Sequence, residues 1–391
     1  GHSWLTKAAA AGDTIAMAEL GAAHHMGLGV EPNLELALEW YRKASALGEP
    51  RAIGGLGLLY YEGKGVPKDE AKAIALILQA AEAGDPRSMV RIALCYQSGT
   101  GVPQDGAHAR RWYLAASEAG EASAMVNLGV IYERGEGVEK DLPAAIRWYR
   151  AAAKLGHVAA MVNLGRLYER GQGVEKDLPE SFRWTLKAAK GGDPYSLLSV
   201  AERYAMGGEG AKQDRAEAAR WYARALEAKV LKADFHFGIF LFDGAFLGAP
   251  KGGEAALSSS IEHLSRAPEV YAALYCYLAE VRLLGRAKAR ESLRLRTKGA
   301  KLDSWQSALV RLLLGEVPVK AMFAAAARAA SASAGEVARC EAAFYAGAAK
   351  LVEGDKVEAK RLLQISRETG VTGFPEVHSA QVLLQALERS D

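Results

Sequence analysis

Residues 124–143, AMVNLGVIYERGEGVEKDLP, return 36 positions later as residues 160–179, AMVNLGRLYERGQGVEKDLP. That return makes the chain a repeat before it is anything else, and the period extends in both directions. Gly-x-Gly-Val begins at Gly27, Gly63, Gly99, Gly135 and Gly171, always 36 residues apart. A sixth copy, Gly208-Glu209-Gly210-Ala211, comes 37 residues later. Tryptophan marks the same phase independently: Trp40, Trp112, Trp148, Trp184 and Trp221 are spaced 72, 36, 36 and 37, with Leu76 in the missing place.

Each unit reads as two helices. Between Ala124 and Tyr132 the apolar residues recur at three and four, the period of an amphipathic helix. The Gly-x-Gly ends that helix, because glycine reaches positive φ without a Cβ clash. Asp141 and Asp177 each stand before a Leu-Pro pair, where a carboxylate oxygen caps the second helix and proline occupies its first turn. That second helix runs from Ala144 to Leu155 and closes at Gly156. Asp85-Pro86 and Asp193-Pro194 open the next first helix by the same chemistry. Small residues at fixed places (Gly129, Gly165, Ala44, Ala116, Ala152) let neighbouring helices approach. The Trp148-Tyr149 pair and its equivalents are expected to fill the groove between units as core.

Composition sets outer limits. Half of the 391 residues are hydrophobic, enough for a sizeable core. With 49 Lys+Arg against 46 Asp+Glu the net charge is +3, which gives no reason to expect a nucleic-acid partner. Purely apolar stretches such as Ile74 to Leu78 are far too short to span a bilayer, so no membrane insertion is expected. Gly1-His2-Ser3 reads as a tag-cleavage scar, leaving open an export signal or a further domain ahead of it. Cys95, Cys276 and Cys340, odd in number and unrelated in spacing, exclude a disulfide framework and a cysteine-rich metal site.

Taken together, Ala-x-x-x-Leu-Gly-x-x-Tyr, Gly-x-Gly-Val-x-x-Asp, Ala-x-x-Trp-Tyr and Ala-Ala-x-x-Gly resemble the Sel-1-like repeat, a relative of the tetratricopeptide repeat. The resemblance covers residues 4–228 in six copies, with His24 in place of Tyr in the first and Leu76-Ile77 in place of Trp-Tyr in the second. An eroded seventh copy spans 229–266, where Phe237-Gly238 stands for Leu-Gly and Gly244 to Gly253 form an irregular loop. The main boundary is placed near 267. Past Pro268 helix pairs continue: Tyr271 to Leu284, Trp305 to Leu314 and Cys340 to Val352 precede Gly285, Gly315 and Gly354. Residues 267–391 therefore resemble tetratricopeptide hairpins, with the Ala324 to Ala334 run (including Arg328) still helix-forming. Glu376 to Arg389 reads as a C-terminal capping helix. The implied fold is an all-α, right-handed α-solenoid superhelix.

Candidate chemistry is sparse. The Gly-x-Gly loops lack the third glycine of a dinucleotide fingerprint, the Lys-Ser/Thr of a P-loop and a preceding strand, so they read as helix-ending turns. Neighbouring His24 and His25 point about 100° apart on a helix and do not converge on one metal. Cys95 reads as core, and Glu133, Glu136 and Glu139 as a solvated face. No catalytic residue, metal site or cofactor is expected.

In tetratricopeptide-like arrays the first helix of each pair lines the concave surface, and the resemblance implies the same here. The groove positions are then Arg87 and Arg91, Asn127 and Arg134, Asn163, Arg166, Glu169 and Arg170, and His236. Asn163, Arg166 and Arg170 share one helical face, as do Arg87 and Arg91. Amides that read a backbone and guanidinium groups that pair with carboxylates suit an extended peptide. The expected function is a non-catalytic scaffold or adaptor that binds a protein or peptide on the concave face. The alternatives are a glycan- or cell-wall-associated module, or the regulatory part of a longer enzyme. A bacterial origin is expected from the alanine- and arginine-rich composition and the family's distribution; a periplasmic or envelope site is slightly favoured over the cytoplasm.

Overall fold

The computed structural model describes residues 2–208, 210–247, 253–266, 270–300, 302, 304–327, 332–369, 371 and 375–388. The boundary expected near 267, Pro268, Arg328, Glu209 and most of the loop before Gly253 lie outside the described residues. Within them the secondary structure is helical apart from one isolated bridge between Gly208 and Ala211, and it divides into two units, residues 1–193 and 194–391.

Unit 1 opens with α1 (His2–Ala10) and continues as five hairpins. These are α2 (Thr14–Met26) with α3 (Leu34–Ala46), α4 (Pro50–Glu62) with α5 (Glu70–Glu82), and α6 (Pro86–Ser98) with α7 (Gly106–Glu118). Then come α8 (Ala122–Arg134) with α9 (Leu142–Lys154), and α10 (Val158–Arg170) with α11 (Leu178–Lys190).

The hairpin of α8 and α9 shows how the sequence dictates this. Gly135 ends α8 at φ 73°, and its N–H donates to the Ile131 carbonyl. The next amide, Glu136, donates to the same oxygen at 3.1 Å, so the last turn of α8 is satisfied by the loop itself. Asp141 then caps α9, its Oδ1 accepting from Ala144 N at 2.8 Å, while its own N–H donates to the Tyr132 carbonyl at 2.9 Å. The latter bond recurs at Asn33, Asp69, Asp105 and Asp177, reaching back to residues 24, 60, 96 and 168. Because it is made by main chain, His24 in the tyrosine place leaves it intact.

Packing follows the small residues. A Cβ on Gly129 would lie 2.4 Å from the ring of Tyr149, so the absent side chain is what seats the tyrosine. Tyr113 and Tyr149 are both fully buried. The five tryptophans of this phase were expected in the core; Trp221 is buried, yet Trp40, Trp112, Trp148 and Trp184 are half-buried. They pack on the rims of the core clusters, two with a lysine ammonium over the ring: Lys43 on Trp40 and Lys187 on Trp184. The core of unit 1 is thus a chain of small clusters passed from hairpin to hairpin, as a nearest-neighbour array requires. The first helices α2 and α4, and α4 and α6, also pack on each other, while no two second helices do so to that extent. From α2 to α6 the first helices therefore lie closer to one another than the second helices do.

Unit 2 begins with two hairpins, α12 (Pro194–Met206) with α13 (Arg215–Glu227) and α14 (Ala233–Leu247) with α15 (Gly253–Arg266). Then come α16 (Val270–Leu284) with α17 (Arg286–Thr297), α18 (Ser304–Leu313) with α19 (Val319–Ala326), α20 (Ala332–Glu353) with α21 (Lys356–Glu368), and α22 (Pro375–Glu388). Here one continuous core runs from α14 to α22. The last helix packs on α14 and α20 as well as on α21 and buries residues on most of its circumference, from Glu376 to Leu387.

Candidate partner interface on the first helices

Consecutive first helices of unit 1 are stitched by polar pairs one repeat apart. Arg51 Nη1 donates to Glu19 Oε1 at 2.8 Å, and His25 Nε2 lies 3.3 Å from Glu62 Oε2. Further along, Gln97 Nε2 donates to Glu136 at 2.8 Å and accepts, through its Oε1, the Tyr113 hydroxyl at 2.9 Å. In the next repeat Glu133 takes over this role. It accepts the Tyr149 hydroxyl at 2.9 Å and, on both oxygens, Nη2 of Arg166 at 2.7 and 2.9 Å.

This stitching sorts the groove residues that the sequence suggests. Arg166 is tied to Glu133 and joins α8 to α10, and Arg134 is paired at the surface with Glu136 at 3.2 Å. Glu169 also has a partner. Arg87, Arg91, Asn127, Asn163 and Arg170 make no ion pair or side-chain hydrogen bond among the described residues. Arg91, Asn127 and Asn163 sit 36 residues apart at one position of α6, α8 and α10, and all three are half-exposed. They form a row of donors without a side-chain partner on three successive first helices. His236 belongs to unit 2, where its Nδ1 lies 2.9 Å from Glu202 Oε1.

The row begins at a cleft that the residue pattern conceals. At the position of Asn127 and Asn163, α4 carries Gly55, and just before it Gly54. A Cβ on Gly55 would sit 2.5 Å from the Tyr41 ring, and one on Gly54 would sit 2.2 Å from Ser88 Oγ. The two glycines thus admit Tyr41 and Ser88 into a cleft of about 90 Å³ bordered by Arg87 and Arg91. Burial pushes the Tyr41 phenol up to about 12, with Arg91 and Arg87 pulling the other way. The phenol is a neutral hydroxyl at physiological pH, unlike Tyr113 and Tyr149 without a carbonyl or carboxylate acceptor among the described residues. At the cleft floor Asp85 caps α6 through Oδ2, which accepts from Ser88 N at 2.8 Å and Ser88 Oγ at 2.6 Å. Its Oδ1 is buried without a hydrogen-bond partner. Two free guanidinium groups, a hydroxyl and an orphaned acceptor therefore converge. Sequence reasoning recognised Asp85 only as a cap and missed Tyr41; the signal was Gly54-Gly55 where α6 reads Val90-Arg91 and α8 and α10 read Val-Asn.

The two classes of residue separate by experiment. Arg166→Ala is expected to destabilise unit 1 by ~1 kcal/mol, since it leaves a mostly buried Glu133 with the tyrosine alone. Asn127→Ala and Asn163→Ala are expected to stay within about 0.5 kcal/mol of the parent, having no intramolecular partner to lose. Equal losses for all three in denaturant titrations would refute the division.

Among the described residues no group of three or more His, Cys, Asp or Glu could hold a metal ion, and no helix is long and apolar enough to cross a membrane. A comparison with curated proteins finds no match. Among solved structures, the Sel1 repeat protein from Oxalobacter formigenes is 34% identical, covering 55% of this chain and 88% of its own, with a TM-score of 0.51. A protective antigen present in uropathogenic Escherichia coli strains, displaying an SLR fold, is 24% identical over 99% of this chain and 86% of its own. Its TM-score of 0.58 shows the same solenoid fold. The sequence profile of the Sel1 repeat matches residues 1–13, 14–49, 50–85, 86–121, 122–157, 158–193 and 194–230, which are α1 and then each hairpin in turn as far as α13. Proteins of this repeat generally act as protein-interaction scaffolds. With more than half its length matched, the chain belongs to the Sel1 repeat family.

Proposed function

We propose that this chain is a non-catalytic scaffold whose first-helix face in unit 1 holds an extended peptide. In this reading Arg87 and Arg91 pair with a carboxylate of the peptide, and Asn127 and Asn163 bond its backbone amides. The row of Arg91, Asn127 and Asn163 carries the proposal. Their neighbours on the same helices are neutralised by each other, so the unpaired ones mark where another chain would complete the hydrogen bonding. Donors at one position of successive helices suit an extended chain that meets each helix in turn. For the glycan alternative, Trp40, Trp184 and Trp221 each carry a cation over the ring, whereas Tyr195 is 80% exposed. A bacterial origin is included in the same proposal, supported by the composition and by a bacterial relative; an envelope location is proposed with it, and cell fractionation tests that.

The test is a dodecapeptide array probed with the intact chain and with the Arg87→Ala/Arg91→Ala double variant. Bound peptides are expected to be rich in Asp and Glu or to need a free C-terminal carboxylate. They should lose binding by roughly 10- to 100-fold in the variant, the worth of a charge-assisted pair. Because neither arginine has an intramolecular ion pair, the variant's melting temperature should match the parent's. Peptide selection indifferent to carboxylates, or unchanged by the substitutions, would overturn the proposal.

A further inference from the structure

Unit 2 contains a second, unrelated opening. A cavity of about 420 Å³ lies among α12, α13, α14 and α22, with Tyr222, Phe240 and Val377 among its apolar walls. Two carboxylates line it, Glu202 from α12 and Asp243 from α14. Glu202 is occupied by His236. Asp243 is only 1% exposed, and its Oδ1 has no hydrogen-bond partner.

The cationic groups around Asp243 leave that oxygen unsatisfied. Arg215, the nearest strong cation, is turned aside: its Nη2 donates to the Phe240 carbonyl at 2.7 Å, and its guanidinium lies 4.1 Å over the Phe240 ring. It makes no ion pair with Asp243 among the described residues. His378 Nε2 stands 3.7 Å from Asp243 Oδ2, beyond hydrogen-bonding distance. Burial and the nearby Arg215 push His378 below its ordinary value, so the imidazole stays neutral at physiological pH. A buried carboxylate oxygen without a donor is costly unless something supplies one. Asp243 borders a cavity whose other walls are largely apolar.

We propose that this cavity binds a small organic amine, an ammonium group on an aromatic or alkyl body, with the ammonium donating to Asp243 Oδ1 and the body resting on Tyr222, Phe240 and Val377. The acid, which burial leaves partly protonated in the empty cavity, gives up its proton to solvent as the ammonium arrives and then supplies the charge and the missing acceptor; the apolar walls supply the area. An anionic ligand of the same shape is disfavoured, because both charged groups lining the cavity are acids. The site is independent of the peptide face in unit 1, and neither proposal needs the other.

Calorimetric titration of the full chain with tryptamine and with indole-3-propionate tests it, since the two share a body and differ in the sign of the terminal charge. Tryptamine is expected to bind saturably at one site, indole-3-propionate at least tenfold more weakly. Asp243→Asn should weaken tryptamine at least tenfold while keeping the fold, read from an unchanged or higher melting temperature. Should that variant not fold, the choice of the intact chain between the two indoles decides alone. Equal affinity for both, no saturable tryptamine binding, or full tryptamine affinity in a folded Asp243→Asn variant would each overturn the proposal.

Discussion

Replacing Tyr149 by alanine is expected to destabilise unit 1 by ~3–5 kcal/mol, the range for removing a large buried aromatic side chain. The ring is fully buried and sits in the space that Gly129 leaves open, so the helices on either side cannot collapse into the void without moving the hairpin. Its hydroxyl also donates to Glu133, which anchors Arg166 from the next first helix. One residue thus carries the α8–α9 contact and orients the α8–α10 staple. Tyr149→Phe separates the two contributions: it keeps the ring and loses one hydrogen bond, and should cost about 1 kcal/mol. Guanidinium unfolding followed at Trp148 and Trp184 fluorescence reads both. An alanine variant within about 1.5 kcal/mol of the parent would show that the hairpins repack freely and that the Gly129 seat is not structural.

The repeat made this much legible in advance. A 36-residue period places caps, helix-ending glycines and interlocking aromatics by the same local chemistry each time, and local chemistry is what a sequence displays. Asp141, Asp177 and Asp85 cap as their neighbours indicate, and Gly135 ends its helix at positive φ. The tryptophans show the limit of periodicity: a fixed phase establishes an equivalent environment, not a buried one. Beside Trp40, Trp112 and Trp148 it is the tyrosine next in sequence that is buried, whereas Trp221 is itself buried.

The candidate site was half legible. That Arg91, Asn127 and Asn163 share one position follows from the period. That Arg166 is consumed internally does not, because its partner Glu133 lies 33 residues away on another helix and carries no mark that distinguishes it from a solvated glutamate. The polar contacts of unit 2 were illegible for the same reason, and past α13 no period helps. Its polar contacts join Tyr271 to Glu341, Tyr345 to Glu376 and Tyr275 to Ser379, at separations of 70, 31 and 104 residues.

Those contacts give unit 2 an expected pH dependence opposite to acid denaturation. Burial pushes the carboxyl of Asp243 up to about 7, with Ser379 and Arg215 opposing it and Glu376 adding to it. Glu376 is likewise raised to about 7, by burial first and then by Glu341, against a hydrogen bond from Tyr345. Tyr222 on α13 and Tyr275 on α16 border the same group and, being raised by burial, stay neutral throughout this range. Both folded-state values exceed those of the unfolded chain, near 4. Between about pH 4 and pH 7 the folded state therefore holds protons that the unfolded state has released, and stability falls as pH rises, by at most ~1.4 kcal/mol per pH unit for each group. His378, shifted downward, opposes this below pH 6.5 by resisting a proton that the unfolded chain accepts. One imidazole against two carboxyls leaves a net loss, expected to be about 2 kcal/mol or more between pH 5 and pH 8. The Asp243→Asn/Glu376→Gln variant should lose that slope and gain a similar amount at pH 8, since neutral amides carry no charge to bury. Denaturant titrations at several pH values, resolved to α14 and α22 by hydrogen exchange, measure this directly. A parent curve that is flat or rising from pH 5 to pH 8, or a variant with the parent's slope, would show that these carboxyls are solvated or paired in the folded chain.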